Sequence, residues 1–113
     1  MRILQVSSAS EIGGAETHVI QLVKALRRRG HIVAVAGRRD GPLDAEIALP
    51  FRNSFDAITA LRLRSEIRRG AFEVVHAHVA RDYPLAAAAA VGLGSVTVVC
   101  TRHLLYPVHR NPL

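Results

Sequence analysis

Short apolar runs alternate along this chain with segments whose apolar residues are spaced for a helix. Ile3-Leu4-Gln5-Val6 is mostly apolar and is closed by Ser7 and Ser8, which predicts a buried parallel strand over residues 2–7. A loop carrying Gly13 and Gly14 follows. Ala15, Val19, Leu22, Val23 and Leu26 then recur at steps of four, three, one and three, so they share one face of a helix. Glu16, Gln21, Lys24, Arg27 and Arg28 fall off that face, and Gly30 supplies the usual glycine stop. Ile32 to Ala36 reads as the next strand. Strand, helix and strand within the first 36 residues make a βαβ unit, whose crossover is expected to be right-handed.

Beyond Gly37 the pattern loosens into Gly-Arg-Arg-Asp-Gly-Pro, a turn-rich loop. Glu46 to Leu49 predicts a short edge strand stopped by Pro50. Asn53 or Ser54 is expected to cap a second helix with Asp56 in its first turn. Ala57, Ala60, Leu63 and Ile67 mark its inner face, Arg62, Arg64, Arg68 and Arg69 decorate the rest, and Gly70 ends it. Residues 72–78 predict a strand with Glu73 exposed at its start and Val74-Val75 buried. Asp82 is expected to cap a third helix with Pro84 in its first turn. The small residues Ala86 to Ala90 let that helix lie close to a sheet, and Gly92 and Gly94 end it. Residues 96–100 predict a last strand, with Cys100 as a small buried hydrophobe. Residues 101–113 carry no clear pattern. The order β-α-β-(β)-α-β-α-β predicts a single α/β domain, a doubly wound, Rossmann-like parallel sheet.

Composition supports this architecture. The chain is half hydrophobic with three Phe, two Tyr and no Trp, which suits helices on a sheet better than an aromatic β-sandwich. Formal net charge is +6, carried by fourteen Arg and one Lys. That balance favours anionic partners such as nucleotides, phosphosugars or acidic lipid surfaces, while a basic solvated surface accounts for the same letters; both readings stay open. No aromatics interleave with the basic residues, which argues against nucleic acid. A single cysteine makes no internal disulfide and fits a reducing cytoplasm. The first apolar run is too short for a secretory signal. Tyr83 to Thr101 is uncharged for nineteen residues, long enough for a bilayer, but its five consecutive Ala and its Gly92-Leu93-Gly94 break favour a helix followed by a strand.

Ligands on doubly wound sheets bind beyond the carboxyl ends of the strands. Those ends carry Ser7 to Gly14, His76 to Arg81 and Thr101 to His103. Gly13 and Gly14 open a helix whose first N–H groups lack partners, a place for phosphate or a sugar hydroxyl, although a tight turn explains them equally. Neither the dinucleotide fingerprint nor a P-loop is present. His76 and His78 share one face of a strand; His78, nearer the loop, is assigned to the site and His76 to packing. No third ligand stands in register with them, so no metal is expected. Arg81 is suited to a phosphate or an acidic acceptor, or to plain solvation. His103, directly after a strand, is suited to hydrogen-bond a sugar hydroxyl or to share a proton near neutral pH, although a surface histidine in a tail is the simpler account of it from sequence alone. With no Ser/His/Asp order, no paired carboxylates and no cysteine cluster, nothing argues for hydrolysis.

Several stretches together resemble a known family. Arg-Ile-Leu-Gln-Val, then Gly-Gly-Ala-Glu-Thr-His, then Leu-x-x-Arg-Gly-His-x-Val is similar to the opening of the family-4 glycosyltransferases of the GT-B fold. Glu73-Val74-Val75-His76-Ala77-His78 resembles that family's Asp-Val-Val-His-x-His strand, and Val-Thr-Val-Val-Cys-Thr-Arg-His its Thr-x-His strand end. The resemblance covers Met1 to about Tyr106 and implies the acceptor-side, amino-terminal domain of a two-domain, retaining, nucleotide-sugar-dependent transferase of glycan biosynthesis. Gly13 and Gly14 are then expected near the donor diphosphate or the transferred sugar, and His103 at the reaction centre. Glu16, His78 and Arg81 are expected on the acceptor side, toward a glycan or lipid-linked acceptor. No cofactor or metal is implied. Leu104-Leu105 departs from the Gly or Asp that the family often has after this histidine. The family's carboxyl-terminal domain with its Glu-x7-Glu segment is not represented in residues 1–113, so this is expected to be an incomplete half, inactive alone and completed by that domain or a partner subunit. The rival expectation is a non-enzymatic α/β module that binds a phosphate-bearing ligand or a partner chain, with exposed sheet edges suited to a homodimer. A cytoplasmic location is expected, with weak association to acidic membrane at its inner face through Arg62, Arg64, Arg68 and Arg69.

Overall fold

The computed structural model describes residues 1–9, 14–39, 41 and 45–101, leaving out the side chains of residues 14–16. Its elements run β1 (Arg2–Ser7), α1 (Gly14–Arg28), β2 (Ile32–Arg38), β3 (Ile47–Leu49), α2 (Ala57–Arg69), β4 (Val74–Ala77), α3 (Tyr83–Ala89) and β5 (Thr97–Cys100). A 3-10 turn, Ala80–Asp82, leads into α3. The five strands form one sheet in the order β3-β2-β1-β4-β5, and every pairing is parallel. The Rossmann-like α/β fold read from the residue pattern is therefore the fold observed. All strand carboxyl ends lie along one edge. The chain steps outward from β1 through β2 and β3, then returns to β4 on the other side of β1, so the switch in direction falls between β1 and β4.

The alternation of side chains along each strand divides the core in two. Ile3, Val33 and Val35 face α1 and pack on Val19 and Val23. Leu4, Val6, Ala36, Val75 and Ala77 face the other way, onto Leu63 and Ile67 of α2 and Leu85, Ala86 and Ala89 of α3. Leu63 and Ile67 are fully buried, each contributing ~1.5–3 kcal/mol. The alanine run works as expected: Ala86 and Ala89 have no side chain beyond Cβ, so α3 packs directly on the sheet and on α2.

Several boundaries differ from the pattern for identifiable reasons. Asp56, rather than Asn53 or Ser54, is the N-cap of α2; it accepts from the Thr59 N–H at 3.2 Å and the Thr59 hydroxyl at 2.8 Å. Asn53 spends its side chain on a local turn instead, accepting from the Phe55 N–H at 2.8 Å. After α2 the left-handed residue is Ala71 (φ 51), while Gly70 has φ −83. Gly70 is required for space: a Cβ there would stand 2.3 Å from the ring of buried Phe72.

Glu46 closes the gap left by the short β3. That strand pairs with β2 only from Ala36 onward, and Glu46 Oε1 accepts the Val35 N–H at 2.7 Å in place of a strand carbonyl. Its Oε2 accepts from Arg27 at 2.8 Å, and Arg27 also donates to the Val33 carbonyl at 2.7 Å.

Cys100 is exposed, contrary to the expectation of a buried hydrophobe. It lies on β5, the end strand of the sheet, where Thr97 and Val99 are exposed as well. The uncharged stretch from Tyr83 to Thr101 divides into α3 and β5, and no described helix is long and apolar enough to cross a membrane.

Candidate functional site at the carboxyl edge of the sheet

β1 and β4 flank the switch point, and the residues just beyond their carboxyl ends are joined by hydrogen bonds. Ser8 is buried where β1 runs out, and the 3-10 turn after β4 engages three of its polar groups. Its N–H donates to Asp82 Oδ2 at 2.7 Å, its hydroxyl accepts from Arg81 Nε at 2.7 Å, and its carbonyl accepts from Arg81 Nη2 at 2.9 Å. Ser7 adds a turn of its own, its hydroxyl accepting from the Ala9 N–H at 3.3 Å. Two consecutive residues thus fix the chain as it leaves β1 for α1.

Asp82 stands at the N-cap position of α3, as the sequence pattern suggests, but its side chain does not act as the cap. It belongs to the 3-10 turn, with φ −92 and ψ −11, and makes no side-chain cap bond to that helix. Its carboxylate is committed to Ser8. The residue is 1% exposed, and Oδ1 has no hydrogen-bond partner among the described residues. Burial pushes its carboxyl above the ordinary 3.8, against the downward pull of the Ser8 hydrogen bonds and the Arg81 charge.

A second polar group lies on the α1 face of the same strands. Gln5 on β1 stands opposite His76 on β4. His78, just past the end of β4, continues the ladder through its N–H to the Val6 carbonyl at 3.1 Å. Its Nε2 donates to Gln5 Oε1, and its ring lies 4.0 Å from that of His76, tilted by 35°. His76 in turn bonds the Thr101 hydroxyl, and the Tyr83 hydroxyl donates to the Thr101 carbonyl. His18 of α1 meets His78 edge-on at 6.4 Å. At 2% exposure His78 is the more enclosed histidine of the strand pair, and His76 is half-buried. Gln5 Nε2, also buried, has no hydrogen-bond partner among the described residues.

The remaining candidates divide as follows. Gly14 is the first residue of α1, so the positive end of that helix dipole falls at the same edge as Ser8. Glu16 lies in α1, with its side chain outside what is described, and Gly13 and His103 lie outside the described residues altogether. His78 and Arg81 come to the switch point together, His78 bonded to Gln5 of β1 and Arg81 to Ser8 just beyond it. Ser8 and Thr101 fall within the strand-end stretches that the sequence indicates, whereas Asp82 and Gln5 are not marked by it as site residues. The available signal was polarity in the wrong place: Gln5 interrupts an otherwise apolar strand, and Asp82 follows Arg81 in a short loop. Among the described residues, no three His, Cys, Asp or Glu side chains are grouped to hold a metal ion. A separate cleft of about 390 Å³ opens near the ends of β2 and β3, lined by Arg38, Arg39, Ala48, Leu49, Pro50 and Arg62.

Comparison with known proteins adds one finding to this geometry. No curated protein matches the chain. The family model described as Glycosyltransferase Family 4 matches residues 12–113, which takes in every element after β1. With a parallel sheet whose switch point carries the polar residues, and a family match over nine-tenths of its length, the chain belongs to glycosyltransferase family 4.

Proposed function

We propose that this chain forms the acceptor-side domain of a retaining glycosyltransferase that uses a nucleotide sugar as donor. The observation that supports this reading is the clamp of Asp82 and Arg81 on Ser8, at the point where the sheet changes direction. A loop that must present backbone N–H groups to a diphosphate gains from a fixed origin, because an ordered loop has less entropy to lose on binding. In this reading Gly13 and Gly14 approach the donor diphosphate at the start of α1, where the helix dipole favours negative charge. His103 hydrogen-bonds a hydroxyl of the transferred sugar. Arg81, exposed beyond its contacts with Ser8, and Glu16 face the acceptor. His78 is enclosed and bonded to Gln5, so its part is that of a positioning residue that stiffens the end of β4 against β1. No resident cofactor or metal enters the scheme; the dipole and the arginines supply positive charge.

Residues 1–113 hold no Glu-x7-Glu segment, and a polypeptide of these residues alone is expected to transfer no sugar at a robust rate, because one wall cannot exclude water from the reaction. The test is a nuclear magnetic resonance titration of the 113-residue chain with uridine, guanosine and adenosine diphosphate sugars. Saturable shifts of the Gly13 and Gly14 amides, weakened by Arg81→Ala, are expected. Absence of any shift with every donor would overturn the donor site and leave a module that binds a partner chain.

A further inference from the structure

The cleft at the ends of β2 and β3 takes no part in the contacts at the switch point. Arg38 and Leu49, the last residues of these strands, pair with each other, and Gly37 pairs with Ser7 of β1. Arg38 thus stands one residue past the Ser7–Gly37 pair, as Ser8 does, on the same edge of the sheet. One strand spacing, roughly 5 Å, separates β2 from β1, and β3 lies as far again beyond it. At about 390 Å³ the cleft falls at the lower end of the range for small-molecule sites.

Its lining has two parts. Ala48, Leu49 and Pro50 supply an apolar floor. Arg38 from the end of β2, Arg39 from the turn after it and Arg62 from the second turn of α2 supply positive charge, and none of the described lining residues is acidic. Arg39 and Arg62 are exposed, and neither is tied to a described residue by a hydrogen bond or ion pair. Arg38 is half-buried, and its Nη1 donates to the Phe51 carbonyl at 3.5 Å. The turn bearing that carbonyl is itself fastened. Phe51 holds φ 48, which phenylalanine rarely adopts, with its side chain in the core. Its N–H donates to the Thr59 hydroxyl at 3.0 Å, and the Arg52 N–H donates to Asp56 at 3.0 Å. This wall of the cleft is set before a ligand arrives, which lowers the ordering cost of binding.

We propose that this cleft binds a small phosphorylated sugar, its phosphate among the three arginines and its ring on Ala48, Leu49 and Pro50. A phosphomonoester carries about 1.5 to 2 negative charges near neutral pH, where a carboxylate carries one, so it is the better match for three guanidinium groups. Each guanidinium fork also bonds phosphate oxygens in pairs. The C–H face of a sugar ring suits the apolar floor. β3 is an end strand with no described strand beyond it, so its outward N–H and C=O groups can bond ring hydroxyls. No aromatic side chain among the described residues lines the cleft to stack a nucleotide base. A phosphosugar seated here lies within two strand spacings of Ser8, which suits an acceptor whose hydroxyl reaches the switch point; this last consequence alone rests on the proposed function.

The experiment follows the backbone amides of the whole chain by nuclear magnetic resonance during titration with glucose 6-phosphate, inorganic phosphate, glucose and glucuronate. Saturable shifts of the Arg39 and Leu49 amides are expected with glucose 6-phosphate. Its binding should be at least about threefold tighter than that of inorganic phosphate, the gain from covering one CH₂ group on the floor. Glucose should give no shift, and glucuronate should bind more weakly than the phosphosugar. The double variant Arg39→Gln, Arg62→Gln changes two exposed positions and should bind glucose 6-phosphate about tenfold more weakly. Arg28→Gln, Arg29→Gln removes the same charge at the far end of α1 and should weaken it less than about twofold. An equal loss in the two variants would assign the effect to net charge and overturn the proposal. So would glucuronate or inorganic phosphate binding as tightly as glucose 6-phosphate, shifts confined to the Gly13 and Gly14 amides, or no shift at all. The reporting amides differ from those of the donor titration, so either site can fail while the other stands.

Discussion

The carboxylate of Asp82 accepts the backbone N–H of Ser8 at 2.7 Å across 74 positions of sequence, and this bond holds the end of β1 to the turn beyond β4. Side chains that bond a backbone N–H are hard to replace, since the amide they release has nowhere else to go when buried.

Asp82→Ala should therefore destabilise the fold by ~1–3 kcal/mol, the usual cost of a buried donor left without its acceptor. Asp82→Asn keeps an oxygen in place and should lose less than half as much. Urea unfolding measures both, and hydrogen exchange at the Ser8 amide should accelerate in the alanine variant well before global unfolding. Equal stability of Asp82→Ala and the natural chain would mean that the clamp holds nothing.

Two aspartates bias stability in opposite directions with pH. Asp82 holds its proton more tightly folded than unfolded, because burial disfavours its charge. Its contribution is fully present below the ordinary 3.8 and is lost as pH rises through the folded value. Asp56 is the reverse: hydrogen bonds from the Arg52 N–H, at 3.0 Å, and from Thr59 hold its carboxyl below the ordinary range. Its contribution is present above 3.8 and is lost as pH falls through the lowered value. Relative to the natural chain, Asp82→Asn should thus improve from acid toward neutral pH, while the deficit of Asp56→Asn should shrink in acid. Parallel stability curves for the three proteins, followed by thermal unfolding across that range, would sink the assignment.

The pattern of apolar residues was enough to order the elements, because each strand and helix buries a face that its own spacing declares. Caps and clamps were less legible. Asn53, Ser54 and Asp56 all have short polar side chains suited to an N-cap, and tertiary context chose among them: Asp56 also serves the Arg52 N–H, while Asn53 closes its own turn. Asp82 holds the cap position that its place before Pro84 suggests, but its side chain serves Ser8, which lies too far away in sequence for any local rule. The polar cluster of Gln5, His78, His76 and Thr101 was visible only as residue types, since strand register decides which of them meet. Cys100 followed from neither pattern nor propensity, because an end strand and an inner strand carry the same letters.

Gly70 and Ala71 form a turn in which space and backbone freedom are demanded at different positions: there is no room for a Cβ at Gly70, and the left-handed backbone falls on Ala71. Gly70→Ala should cost ~1–3 kcal/mol, as its new Cβ would be driven into the Phe72 ring, itself packed under Arg2 at 5.9 Å. Ala71→Gly should instead stabilise by about 0.5–1 kcal/mol, since relief of a left-handed alanine outweighs the added chain entropy. Chemical unfolding of the two variants should give opposite signs. Destabilisation in both would show that the strain at Ala71 is already relieved by its surroundings.

Glu46 offers a way to separate a hydrogen bond from an ion pair. Both side chains of the Arg27–Glu46 pair are about half exposed, at 47% and 50%, so the charge attraction is screened and worth less than ~1 kcal/mol. The bond from the Val35 N–H to Glu46 Oε1 is different, because it completes the ladder of β2 where β3 does not reach. Glu46→Gln retains an acceptor for that amide and gives up only the charge, so it should cost less than ~0.5 kcal/mol. Glu46→Ala leaves the amide without its partner and should cost ~1–3 kcal/mol. Raising the salt concentration should narrow the small gap between the glutamine variant and the natural chain while leaving the alanine deficit almost unchanged. If glutamine proves as costly as alanine, and both deficits fade in salt, then the ion pair with Arg27, and not the strand amide, is what fastens the edge of the sheet.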